Sequence, residues 1–249
     1  MMRAKQYAIR GVSEGFPICH CAALRKKIMK KLSFSTPKWL LLIALLLLPI
    51  HAAHAQDSFV RILHGLSGFQ KVDVRIDGKK RFNDLEFGGI SPYVRLDSGP
   101  HSIVIQSNNP TRTLLSITRR FKPFDFHTVG IHGTPNRQRL LVANDSVGTP
   151  AFERAQLAAY HLSPGLPAFD VVTYQPGGQV LTLLRNVRYG QTRRANIPAI
   201  PMTVRLVRRG AVFKTITGAS PRAGRKYALY AVGRPSRNFK ALLDMTASQ

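Results

Sequence analysis

The chain has 249 residues, 37 Lys and Arg against 12 Asp and Glu, and a formal net charge of +25. A positive potential on that scale attracts polyanions, yet there is no continuous basic helix and no RNA-recognition or helix-turn-helix signature, which argues against a dedicated nucleic-acid module. The only two cysteines, Cys19 and Cys21, lie near the start, so the remainder cannot be a disulfide-stapled scaffold.

Residues 1–28 carry both cysteines and the basic Arg25-Lys26-Lys27 cluster without a periodic apolar pattern. They read as an extension, either disordered or lying upstream of the true start. Residues 29–55 read as a secretory signal peptide: Lys30 and Lys31, an apolar run from Trp39 to Ile50, then Ala53-His54-Ala55 before Gln56. That run is about a dozen residues, short of the ~20 that a membrane-spanning helix needs. Cleavage near Ala55 would deliver a periplasmic or secreted protein with no transmembrane segment in the mature chain. From Gln56 onward 28 basic and 11 acidic residues remain, a net of +17.

The mature chain is built twice. His64-Gly65-Leu66-Ser67, followed by Asp73-Val74, is answered by His161-Leu162-Ser163-Pro164, followed by Asp170-Val171, with nine positions from His to Asp in each copy. Phe87-Gly88 matches Tyr189-Gly190, Pro100 matches Pro201, and Phe126–Gly130 matches Tyr227–Ala231; the offset drifts from 97 to 101, so the second unit carries inserted residues. The organisation expected is a first repeat over 57–147, a linker over 148–155 and a second repeat over 156–249. Within them, alternation such as Val72, Val74, Ile76 against Asp73, Arg75 gives half-buried strands, and Asp77-Gly78 supplies a hairpin turn. Strands are expected at 59–64, 71–76, 91–96, 101–106, 112–118, 124–131 and 138–143, with counterparts in the second unit and no helical period anywhere. The fold class is all-β: two tandem Ig-like, Greek-key β-sandwiches of about seven strands each.

The candidate site residues are His64 and Asp73 in the first copy and His161, Ser163, Pro164 and Asp170 in the second, read as a ligand-contacting or structural turn motif. An imidazole oriented by a carboxylate beside a Ser would suit a hydrolase, but neither Ser sits in a nucleophile-elbow sequence and a triad has no need to occur twice. Asp and Pro in such a loop have an ordinary turn role. No metal and no cofactor is expected: His127 and His132 are five apart on one strand, and His64, His101 and His161 lack Cys or paired acidic neighbours.

The segment from His161 to Val171 resembles the opening motif of the DUF4397 domains, in which His-any-Ser-Pro leads through a Pro-containing turn to Asp-Val and a hairpin. The aromatic-Gly pairs, the Tyr93–Gly99 stretch and the closing Tyr227–Gly233 strand are similar to that family's later features. The resemblance implies extracytoplasmic β-sandwich modules, often in tandem, and no activity. A second set of segments, Phe59-Val60-Arg61, Phe82-Asn83-Asp84 and Pro150–Arg154, is similar to the layout of the periplasmic accessory protein of alginate O-acetylation. The functional expectation is an exported, non-enzymatic envelope protein that binds or scaffolds. Its partners would be an anionic polysaccharide or lipopolysaccharide, or an envelope protein as in an adaptor for exopolysaccharide acetylation. A hydrolase using the His/Asp/Ser constellation is the remaining alternative.

Overall fold

Lys71-Val72-Asp73-Val74-Arg75-Ile76 folds as its alternation dictates: Val72, Val74 and Ile76 are fully buried while Lys71, Asp73 and Arg75 reach solvent. The computed structural model describes residues 56–244, which form sixteen strands and no helix. The extension over 1–28 and the signal peptide over 29–55 lie outside the described residues. The first eight strands are β1 (Asp57–Leu66), β2 (Lys71–Ile76), β3 (Lys79–Glu86), β4 (Val94–Asp97), β5 (Gly99–Asn108), β6 (Thr111–Phe121), β7 (Phe126–Thr134) and β8 (Arg137–Asn144). The second eight are β9 (Arg154–Leu162), β10 (Phe169–Tyr174), β11 (Val180–Val187), β12 (Thr192–Pro198), β13 (Met202–Arg208), β14 (Ala211–Ala219), β15 (Lys226–Val232) and β16 (Lys240–Asp244).

Each set of eight makes two four-stranded sheets, ordered β4-β1-β7-β8 and β3-β2-β5-β6, then β12-β9-β15-β16 and β11-β10-β13-β14. The chain therefore follows one path twice. In both sets the first strand pairs parallel with the seventh. Eight strands stand where about seven were expected, because β3 does not alternate. Val74 pairs with Phe82 but Val72 pairs with Leu85, so a bulge takes up the extra residue. The closing strands also correspond differently from the sequence pairing of Phe126 with Tyr227. His64 stands opposite Ile131 and His161 opposite Ala231, a spacing of 100, so Phe126 answers Lys226.

Each sandwich has its own core, around Val60, Ile62, Val74, Ile105, Phe121 and Ile131 in the first and Leu157, Phe169, Val171, Leu206 and Leu229 in the second. A third apolar cluster joins them: Leu63, Ala143, Ala158, Tyr160, Leu162, Ala228, Tyr230 and Val232. Its members come from the sheets containing β1 and β9, so these two sheets pack against each other and are covered on both faces. That is why β9 is buried continuously from Ala155 to Leu162 instead of alternating: a strand with no wet face reads as an unbroken apolar run.

Candidate functional site

The two histidine motifs adopt one geometry. His64 and His161 are both fully buried. The Nδ1 of each accepts the backbone N–H two residues on, from Leu66 at 3.3 Å and Ser163 at 3.3 Å. Nε2 then donates to the carbonyl five residues on, Phe69 at 3.1 Å and Leu166 at 3.0 Å, which fixes the neutral Nε2–H tautomer. Burial holds His64 down to about 4 and lowers His161 in the same way. The aromatic-Gly pairs complete the knot. Phe87 and Tyr189 meet the His rings edge-on at 5.8 and 5.7 Å, and the Gly88 and Gly190 N–H groups donate to the His64 and His161 carbonyls at 2.7 and 2.8 Å.

The other motif residues serve separate places. Asp73 accepts the N–H of Asp84 at 2.9 Å, and Asp170 that of Asn186 at 2.7 Å. Both donors sit at bulges with φ near +50°, 50° for Asp84 and 52° for Asn186, so each carboxylate caps a bulge in the strand beside it. Ser163 donates to the Gly233 carbonyl, Ser67 to Asn238 Oδ1 at 3.3 Å, and Pro164 is buried in the turn. His, Asp and Ser thus hold three different backbone segments and do not assemble as a triad. Among the described residues no three of His, Cys, Asp and Glu converge.

A more elaborate polar cluster, which the sequence reading did not single out, lies where the sandwiches meet. Arg61 on β1 is 4% exposed. It donates to Thr128 Oγ1 at 2.8 Å, to Asp244 Oδ2 at 3.0 Å and to the Tyr230 hydroxyl at 2.6 Å, with Asp145 Oδ2 at 3.9 Å. Burial works against this cation, but Tyr230, Tyr93, Asp145 and Asp244 outweigh it and raise its pKa. Asp145 accepts hydroxyls from Tyr93, Thr128 and Tyr160. Tyr160, Tyr230 and Asp244 belong to the second sandwich and the rest to the first, so the network spans the seam. The space left among Tyr93, Asp145, Tyr160, Arg194 and Lys226 is about 10 Å³, enough for one water and no larger ligand. This cluster binds sandwich to sandwich.

The same face of each repeat forms the seam, as in an isologous dimer fused into one chain, with size traded between equivalent positions. Arg61 corresponds to Ala158, Gly65 to Leu162 and Gly130 to Tyr230. A Cβ on Gly130 would lie 2.7 Å from Leu162 Cδ1, and one on Gly65 would lie 3.0 Å from Val232 Cγ1.

The two sandwiches differ sharply in charge. Residues 56–153 hold 13 basic and nine acidic side chains, a net of +4; residues 154–244 hold 15 basic and two acidic, a net of +13. The two acids are Asp170, which caps its bulge, and Asp244, which pairs with Arg61 of the other sandwich. Arg185, Arg188, Arg193, Arg208, Arg209, Arg222 and Arg225 are all exposed. On the outer sheet of the second sandwich, an open groove of about 520 Å³ runs between the β10–β11 turn and β13–β14.

These features define a tandem β-sandwich module whose histidine and aspartate motifs are built into its loops and bulges. Residues 58–172, the first sandwich with β9 and most of β10, match the model of the family described as Domain of unknown function (DUF4397). Among solved structures the chain is similar to CBMbc, of family CBM26, from Eubacterium rectale Amy13K, solved in complex with maltoheptaose. The identity is 10%, with 78% of this chain and 99% of that one covered and a TM-score of 0.23. It is also similar to a DUF3823 family protein from Bacteroides ovatus, at 12% identity with 68% and 98% covered and a TM-score of 0.20. The curated proteins contain no match. Among the described residues no helix is long and apolar enough to cross a membrane.

Proposed function

We propose that this protein is an exported, non-catalytic binding module of the cell envelope that holds an anionic polymer through its second sandwich. The observation that carries this reading is the charge asymmetry: a net of +13 over residues 154–244, where both carboxylates serve structural partners elsewhere. Such a surface raises the local concentration of polyanions and slows their escape. The first sandwich, at +4, acts as a scaffold locked to the second through Arg61 and Asp145. A second reading, an adaptor for a partner protein, would use exposed apolar side chains such as Phe124 and Phe152 as its contacts.

Salt separates the two. The protein purified after export is passed over an acidic polysaccharide and a neutral glucan at about 50 mM and about 300 mM salt, which shortens the screening length from roughly 13 to roughly 6 Å. Retention on the acidic matrix alone, lost at the higher salt, is the expected result. Equal retention on both matrices, or none at the lower salt, overturns it; capture of one envelope protein that survives the higher salt establishes the adaptor instead.

A further inference from the structure

The two sandwiches follow one path but diverge at one turn. β2 returns into β3 through Asp77-Gly78, whereas β10 returns into β11 through the five residues Gln175–Gln179. The bulge caps place the whole insertion there: Asp73 and Asp170 correspond at a spacing of 97, Asp84 and Asn186 at 102. A second change accompanies it. In the first sandwich Arg75 stands on β2 opposite Val104; in the second Val172 stands on β10 opposite Arg205 on β13. The cross-strand Arg–Val pair is kept and its members are exchanged.

The exchange alters what the arginine has left to offer. Arg75 spends Nε on Gln106 Oε1 at 3.0 Å and Nη1 on the Gly78 carbonyl at 3.0 Å, folded under the tight turn. Arg205 lies over the ring of Tyr174 at 4.5 Å, and among the described residues it has no carboxylate partner. A stacked guanidinium keeps its in-plane N–H groups free and can present two of them to one carboxylate. Tyr174 is 43% exposed, and Val180, its cross-strand partner on β11, is 57% exposed. The longer turn supplies Gln175 and Pro176 to an open groove of about 520 Å³, which Met202 and Thr203 border together with Tyr174 and Arg205.

We infer that this groove is a subsite for a carboxylated pyranose, a uronic acid unit of an acidic polysaccharide. The aromatic and proline surfaces suit the C–H face of a sugar ring, Thr203 and Gln175 offer hydroxyl partners, and Arg205 receives the carboxylate. A phosphate or sulfate site would gather several cations, whereas among the described residues Arg205 is the only one bordering the groove. The inference rests on the anionic-polymer reading and narrows it to one place and one chemistry.

Calorimetric titration of the exported protein with a 1,4-linked uronic acid tetrasaccharide and with inorganic polyphosphate tests it, using Arg205→Lys, Tyr174→Leu and, as control, Arg75→Lys. Arg205→Lys keeps the net charge and removes only the planar fork, so uronate affinity should fall about tenfold while polyphosphate affinity stays. Tyr174→Leu should fall similarly, and Arg75→Lys should bind as the parent does. Parental uronate affinity in both groove variants, or a parent that binds polyphosphate but not the uronate, overturns the subsite and leaves the anionic-polymer reading standing. A parent that binds neither probe removes both.

Discussion

Replacing Asp145 by Ala is the most informative single perturbation of the seam. It removes the acceptor of the Tyr93, Thr128 and Tyr160 hydroxyls and the anion 3.9 Å from Arg61. Arg61 keeps Asp244 at 3.0 Å, whose side chain is 34% exposed, so the loss should fall near the lower end of the ~3–5 kcal/mol that follows breaking a buried ion pair. The Tyr160 hydroxyl, in a residue only 2% exposed, is left without its acceptor at a further cost of about 1 kcal/mol. The sum is about 4 kcal/mol, which in a protein of this size lowers the melting temperature by roughly 10–15 °C. Calorimetry and urea unfolding measure it directly. The double variant Arg61→Met/Asp145→Leu should lose less than Asp145→Ala alone, because no buried charge is stranded. A single variant within about 1 kcal/mol of the parent, or a double variant less stable than the single, would refute the seam as a charge-paired lock.

Acid should weaken the fold through its buried, neutral histidines. His64 and His132 are both held down to about 4, and His127 and His161 are lowered as well. A base with a depressed folded pKa gives stability that is present above the unfolded value near 6.5 and lost as pH falls toward the folded one. The urea midpoint should therefore drop between about pH 6.5 and 4, by up to ~1.36 kcal/mol per pH unit for each histidine; a flat profile would contradict the buried-neutral assignment. Nitrogen chemical shifts should show the Nε2–H tautomer at both His64 and His161, and a protonated Nδ1 at either would break the proposed knot. Gly130→Ala should cost ~1–3 kcal/mol by driving a methyl group into Leu162, and adding Leu162→Ala should recover part of that loss; independent, additive effects would mean that the sheets do not meet there. Asp170→Ala should cost ~0.5–1.5 kcal/mol by removing the acceptor of the Asn186 N–H, and an unchanged unfolding midpoint would deny the bulge its cap.

Local pattern revealed the strands that alternate strictly, with one face wet and the other buried. β2 and its Asp-Gly turn follow from period-2 alternation and φ > 0 chemistry alone. β3 was hidden because its inward residues, Phe82 and Leu85, are three apart, a spacing that makes sense only once the bulge and its Asp73 cap are known. The His motif stood out in sequence, yet its role lies in backbone groups that carry no side-chain signature. Arg61 and Asp145 were overlooked for a different reason: they matter because the β1 sheet is covered on its second face, a property of how the sandwiches stack. Two traces of that stacking exist in the sequence, a lone charge inside the apolar run Phe59–Leu63 and the unbroken apolar stretch of β9. The charge asymmetry was also present there, but it gained meaning only when both acids of the second sandwich proved to be committed to structure.

Hydrogen-exchange mapping of the protein with and without an acidic polysaccharide tests the central claim most directly. The account predicts new protection over the β11-β10-β13-β14 sheet of the second sandwich, strongest beside the β10–β11 turn, with the outer sheet of the first sandwich unchanged. Protection centred on β2–β6, or none at a polymer concentration that gives saturation at low salt, would contradict it.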